Sequence, residues 1–275
     1  MELVAIQLNA GADWPANQAR LEGLLHQLPP GRPLLVQLPE NAVVFGNREA
    51  ARRWAEPLGR GPVQETFSRW AREHGVWLVV GAIPTCIEGS DKLHSTCLVY
   101  DDQGRRQAHY HKVHLFDVQV ADGHGRYQES ATYQAGNELC VIDSPFGRLG
   151  LSICYDLRFP ELYRALRERG AEILMVPAAF TRVTGQAHWL PLLQARAIEN
   201  QCYVLAAAQV GDHGAGRQTW GHSVILDPWG EIKACLPTGE GLVAAPLEPE
   251  RLAGIRRQMP VAQHARLTAV WRDNP

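Results

Sequence analysis

Three side chains able to do hydrolytic chemistry stand at the ends of separate apolar runs. Glu40 closes the run in PLLVQLPEN, Lys112 closes AHYHK, and Cys154 closes RLGLSIC. In the last of these, Leu149, Leu151 and Ile153 alternate with Gly150 and Ser152, so Cys154 falls on the small-residue side at a strand's carboxyl end. Open α/β sheets place their ligands at that end. The stretch YDLRF follows, and Pro160 then sets a first helical turn, with Leu162, Ala165 and Leu166 supplying an apolar face. The turn at 155–159 therefore displays the thiol and leaves backbone N–H groups beside it, that of Tyr155 first among them.

A cysteine nucleophile needs a base, because an unperturbed thiol with a pKa of about 8.5 is only a few per cent ionised at neutral pH. Taken singly, each of the three residues has an ordinary explanation: a small core hydrophobe for the cysteine, a surface charge for the other two. Taken together they form a set of thiol, base and electrophilic stabiliser. A further acid, Glu129 in GRYQES, lies in a polar loop that can line the same pocket.

Other chemistries find less support. HYHKVH carries His109, His111 and His114, but the first two alternate on a strand and no zinc spacing accompanies them, so no metal is expected. These histidines read as strand residues or hydrogen bonders. The chain contains neither a phosphate-binding P-loop nor a dinucleotide fingerprint, and no cofactor is expected. GLSIC approaches the serine elbow G-x-S-x-G, yet its last position is cysteine and Ser152 falls within the strand.

The elements that must position these residues alternate. Glu2–Leu8 is strand-like, and a helix follows with Asp13 at its cap, Pro15 in its first turn and Leu21, Leu24, Leu25 and Leu28 on one face. Residues 34–38 form a buried strand, 47–57 and 62–74 are helical, and 76–83 is another buried strand. Three hairpins turn at DDQG, SPFG and DPWG. Between the last two lie a helix in PELYRALRERG, a strand in AEILMVPAAF, a helix over His188–Asn200 and a strand in CYVLAAAQV. Hairpins inserted into an α/β plan predict mixed sheets. Without a linker, repeat or low-complexity segment, one domain over residues 1–275 is expected, with a tail from about 262.

Composition narrows the function classes. A chain of 275 residues, 45% hydrophobic, can bury a substantial core, and a formal charge of −2 favours neither nucleic acid nor anionic lipid. The longest apolar stretches, such as residues 173–180, are too short to cross a bilayer. MELVAIQLNAG enters a strand pattern without the features of a signal peptide, and six scattered cysteines read as free thiols, so a cytoplasmic location is expected.

The segments LPEN, HKVHLFD and ICYDLRFPELYR, in this order and spacing, resemble the three signatures of the nitrilase superfamily, the carbon–nitrogen hydrolases. The resemblance runs from Val4 to about Val261. It implies an α-β-β-α sandwich of two mixed sheets, a homodimer, and the roles of nucleophile for Cys154, general base for Glu40 and intermediate stabiliser for Lys112. Glu129 then helps position the substrate, and the Tyr155 N–H donates to the oxyanion. HLFDV, RYQES, the stretch 168–189, QARAIENQCYVLAAAQVG and GHSVILDPWG are similar to the Nit branch, and within it to amidases of deaminated glutathione. The implied substrate is a small ω-amide. An ω-amidase acting on α-ketoglutaramate is the alternative, ahead of a true nitrilase or a non-catalytic binding protein. Because the deaminated tripeptide carries free carboxylates, Arg126 and Arg182, with Phe180 and Thr181 beside the latter, are the candidate substrate contacts.

Overall fold

The computed structural model describes residues 1–268 together with Val270 and Trp271. Its first half contains β1 (Glu2–Gln7), α1 (Trp14–Leu25), β2 (Leu34–Gln37), α2 (Arg48–Arg53), β3 (Glu56–Pro57), α3 (Pro62–His74), β4 (Trp77–Cys86), β5 (Leu93–Tyr100) and β6 (Arg106–His111). The middle adds β7 (Asp117–Gln119), β8 (Arg126–Gln128), β9 (Val141–Ile142), β10 (Leu149–Leu151), α4 (Pro160–Glu168), β11 (Ile173–Met175) and α5 (Arg182–Asn200). Then come β12 (Tyr203–Ala206), β13 (Val210–Asp212), β14 (Gln218–Trp220), β15 (Ser223–Leu226), β16 (Ile232–Leu236), β17 (Gly241–Pro246), α6 (Pro249–Gln258) and α7 (Val261–His264).

Two mixed sheets carry the fold. One has the order β17-β1-β2-β4-β5-β6, with β3 pairing to β4; the other has the order β16-β15-β12-β11-β10-β9. The strands β1, β2 and β4 run parallel, as do β10, β11 and β12, and hairpin partners extend each set in antiparallel fashion. Side-chain alternation along β1 explains the layering. Val4 and Ile6 share a core with Leu21 and Leu25 of α1 and Phe67 and Trp70 of α3. Leu3 and Ala5 point the other way, into a core with the strands of the second sheet, which in turn packs on Tyr163, Leu166, Trp189 and Leu193 of α4 and α5. The result is the expected α-β-β-α sandwich. Buried amides tie the two sheets together: Gln37 accepts from the Ala207 N–H at 3.1 Å and Gln7 from the Ser223 N–H at 2.8 Å.

The three expected hairpins form, as β5–β6, β9–β10 and β15–β16. Other boundaries differ for local reasons. The helix expected over 47–57 stops at Arg53, because the buried Glu56 bridges to β4 and spends its carboxylate on the N–H groups of Val63 and Gln64, capping α3. The helix expected from His188 begins at Arg182, since Thr181 caps it by accepting from the Thr184 N–H. Pro191 is carried inside that helix. Asp13 occupies the cap position of α1 but makes no side-chain capping bond. The strand expected over 76–83 runs on to Cys86, while those in AEILMVPAAF and CYVLAAAQV keep only β11 and β12. Two short hairpins, β7–β8 and β13–β14, were not anticipated. Of the expected C-terminal tail, residues 262–264 belong to α7, while Ala269 and residues 272–275 lie outside the described residues.

Candidate active site

The parallel strands of both sheets end around one cavity of about 510 Å³. Cys154 stands at its floor, where β10 gives way to a 3₁₀ turn over Cys154–Arg158. Its φ of +48° is left-handed, a conformation costing a non-glycine residue on the order of 1–3 kcal/mol, so the surrounding bonds must hold it. The Cys154 N–H donates to the Pro177 carbonyl at 2.9 Å, and the sulfur accepts from the Ala179 N–H at 3.5 Å. Arg196 of α5 grips the Leu157 carbonyl with two N–H groups, at 3.1 and 2.8 Å. Tyr155 is the second residue of this short helix, in the first turn, where a backbone N–H has no intrahelical partner.

Glu40 reaches the same floor from the first sheet through an isolated bridge to Ala82. A glycine permits this approach: a Cβ at Gly81 would stand 2.1 Å from the Pro39 carbonyl oxygen. Lys112 leaves β6 and is fixed at its N–H by the Ser95 carbonyl. Its ammonium lies 2.7 Å from Glu40 and 3.0 Å from both carboxylate oxygens of Glu129, one of which also accepts from the Phe116 N–H at 2.7 Å.

Lys112 and Glu40 are only 2% and 4% exposed, and Cys154 7%. Such burial is tolerable because each charge faces a partner. Burial alone would push the Lys112 pKa down, but Glu129 and Glu40 outweigh it and hold the ammonium well above its ordinary range. Burial raises the Glu129 carboxyl, with Lys112 opposing. Burial and the neighbouring Glu40 charge raise the Cys154 thiol well above its ordinary value, Lys112 notwithstanding. Cys154 therefore rests as a thiol, and a nucleophilic role for it would require a base beside it.

Asp156, fully buried, ties the cysteine turn to the lysine segment. One oxygen accepts from the Ile153 N–H and the Tyr110 hydroxyl, both at 2.8 Å. The other accepts from the His114 N–H at 3.0 Å and lies 2.7 Å from the His114 ring nitrogen. His114 in turn stacks on Phe159 with centroids 3.6 Å apart. His111 bonds Thr96 and stacks on His94, in keeping with the expectation of hydrogen-bonding strand histidines. Ser152 is buried against Tyr163 and the Met175 carbonyl, which gives it a structural place.

The structure thus gathers Glu40, Lys112, Glu129, Cys154, Tyr155, Phe180 and Thr181 around one cavity. Arg126 and Arg182 are not among its lining residues. Both are exposed; Arg126 begins β8, and Arg182 starts α5, where it bonds the Gln218 side chain. Three other arginines line the cavity instead: Arg48, Arg158 and Arg217. Arg158 had a visible signal, since it lies four residues beyond Cys154 in the same turn. Arg48 follows Glu40 by eight residues and begins α2, so it too had a signal of nearness, whereas Arg217 had none, because the hairpin that brings it in is remote from all three motifs. Among the described residues none of the three is paired with a carboxylate; the cavity's own carboxylates, Glu40 and Glu129, are both held by Lys112.

A buried thiol facing a carboxylate and an ammonium, at strand ends of a four-layer sandwich, defines a carbon–nitrogen hydrolase. The family model described as carbon-nitrogen hydrolase matches residues 5–257, and the chain belongs to that family. Within it, the chain is 49% identical over 265 residues to the deaminated glutathione amidase of Yersinia enterocolitica, covering 96% of this chain and 92% of that one. It is 36% identical over 266 residues to omega-amidase NIT2 of Homo sapiens, covering 96% and 94%. The crystal structure of the C. elegans NitFhit protein matches with a TM-score of 0.88 at 37% identity, over 96% of this chain and 65% of that longer one. The expected Nit-branch membership and sandwich fold both hold, and the chain is an enzyme of the amidase kind.

Proposed function

We propose that this chain, acting as one hydrolase domain, cleaves deaminated glutathione to 2-oxoglutarate and Cys-Gly through a thioester on Cys154. Glu40 takes the thiol proton as sulfur bonds to the amide carbon, and the carbonyl oxygen becomes an oxyanion. Lys112 and the Tyr155 N–H stabilise that charge. The C–N bond then breaks, and the leaving amine takes its proton from Glu40. Water attacks the thioester, giving a proton to Glu40; the C–S bond breaks, and the returning proton restores the thiol and the free acid. Glu129 holds Lys112 from its far side.

The observation that carries the substrate is the pairing of this thiol with three guanidinium groups that have no carboxylate partner among the described residues. The cavity, at about 510 Å³, lies in the range of roughly 300–1,000 Å³ that encloses drug-sized ligands. Arg158, seated over Tyr155 and Phe180 in the turn that carries Cys154, is placed to hold the acyl group's carboxylate while the thioester lasts. Phe180 and Thr181 flank the acyl chain. The second reading, an ω-amidase acting on α-ketoglutaramate, is favoured by that same arginine, since it needs only one carboxylate site. Side-by-side assay of both amides, with mass spectrometric identification of the acid and amine released, tests the choice. A preference for deaminated glutathione is expected, and turnover of α-ketoglutaramate alone would overturn it.

The enzyme acts as a homodimer in the cytoplasm. Exposed Trp229 and Ile232 flank Gly230, over which the exposed Ile198 side chain lies, a surface suited to a second copy. Six free thiols fit a reducing compartment. Sedimentation of the wild type as a dimer and of Trp229→Glu as a monomer is expected; a monomeric wild type would overturn the assembly.

A further inference from the structure

From the seating of Arg217, we infer that this side chain binds a second carboxylate, on the leaving-amine side of the scissile bond, and so selects dianionic amides over those with one carboxylate. The inference rests on the reading of Cys154 as an amidase nucleophile and deepens it.

Arg217 ends the turn of the β13–β14 hairpin, where its N–H donates to the Gly214 carbonyl at 3.0 Å and its carbonyl accepts from His213 at 2.9 Å. From there the half-buried side chain crosses to two other elements. Its guanidinium carbon lies 4.5 Å from the Phe45 ring centroid and 5.7 Å from that of Tyr127. Phe45 belongs to the segment after Glu40, and Tyr127 to β8, so three cavity-lining segments converge on this one cation. Among the described residues its side chain makes one hydrogen bond, to the Gly46 carbonyl at 3.2 Å. A guanidinium carries five N–H donors in a planar fork. Seated on rings and joined to one carbonyl, this one keeps donors for a carboxylate, the ligand whose geometry the fork matches.

The position also separates Arg217 from Arg158. Arg158 sits over Tyr155 and Phe180, Arg217 over Phe45 and Tyr127, and the two share no ring. A substrate that engages both must carry two anionic ends. The acyl end belongs with Arg158, whose turn holds the nucleophile. Of the two other arginines lining the cavity, Arg48 and Arg217, only Arg217 is seated on aromatic rings among the described residues, and the departing amine is assigned to it. Deaminated glutathione has such a group in its terminal glycine carboxylate; α-ketoglutaramate, which releases ammonia, has none.

Steady-state kinetics of the wild type, Arg217→Gln and Arg217→Lys on both amides provide the test. In Arg217→Gln the ratio of kcat/KM for deaminated glutathione to that for α-ketoglutaramate is expected to fall about 10- to 100-fold, mainly through KM, with partial recovery in Arg217→Lys. An analogue of deaminated glutathione whose glycine carboxylate is a carboxamide keeps the test independent of variant folding. The wild type should lose the same factor on this analogue, and Arg217→Gln should lose little more. A ratio unchanged within twofold, or a wild type indifferent to the carboxamide, would overturn the assignment of Arg217 alone. A wild type that hydrolyses neither amide would overturn the substrate reading and this inference together.

Discussion

The floor and the wall of the cavity are built on opposite electrostatic plans. At the floor, Lys112 donates to Glu40 and Glu129 and keeps one N–H of its ammonium for a ligand. Lys112 and Glu40 are buried, Glu129 is half-buried, and strand ends from both sheets carry Glu40, Lys112 and Cys154. On the wall, three arginines reach in from α2, the cysteine turn and the β13–β14 hairpin, and none has a carboxylate partner among the described residues. A buried, mutually paired cluster is expensive to disturb. Guanidinium groups without a carboxylate partner are free to meet a ligand, and they can change without dismantling the sandwich. The thiol, carboxylate and ammonium thus stand at strand ends of the core, and the cations without a carboxylate partner stand around them.

Breaking the floor should give the largest effects. Cys154→Ala should lose all measurable turnover, and Glu40→Gln roughly 10²–10⁴ in kcat, with melting temperatures near that of the wild type for the cysteine variant. Asp156→Ala should cost about 3–5 kcal/mol in chemical denaturation, because it strands the donors of Ile153, Tyr110 and His114 in a dry interior. Wall variants should be milder. Arg158→Gln should raise KM for a carboxylate-bearing amide about tenfold while leaving the melting temperature in place, whereas Arg126→Gln, at an exposed position outside the cavity, should change kcat/KM less than twofold.

A further effect concerns pH and separates the floor from its supporting strand. Burial, with His94 and His109 nearby, lowers the His111 pKa from its ordinary 6.5 to about 4. The unfolded chain therefore takes up a proton that the folded chain refuses, and stability present above pH 6.5 is lost as pH falls toward 4. The ring is partly open to solvent, so His111→Gln should remove only about 1 kcal/mol of this pH dependence. Melting curves across pH 7 to 4 check it, and an equal slope in variant and wild type would contradict the assignment.

Legibility in the sequence followed the same division. Glu40, Lys112 and Cys154 were readable because each ends an apolar run, and a strand end is a place that a sequence marks. The three hairpins were readable from their turn residues. The start of α5 was missed because VTGQAH carries little helical periodicity, although Thr181 supplies the cap. Arg126 and Arg182 lie near the motif segments in sequence, but nearness in sequence does not determine where a side chain points, and neither lines the cavity. Arg217 was beyond such reasoning: its relation to Phe45 and Tyr127 exists only once two unanticipated hairpins and the segment after Glu40 have met around the cavity.

The central claim is that Cys154, deprotonated by Glu40, carries the acyl group. Rapid-quench intact-mass spectrometry during turnover of deaminated glutathione tests it most directly, followed by peptide mapping of any adduct. The account predicts a transient 2-oxoglutaryl thioester on the peptide bearing Cys154, lost on exposure to hydroxylamine and absent from Cys154→Ala. Steady turnover by Cys154→Ala, or an acyl adduct on another residue, would contradict it.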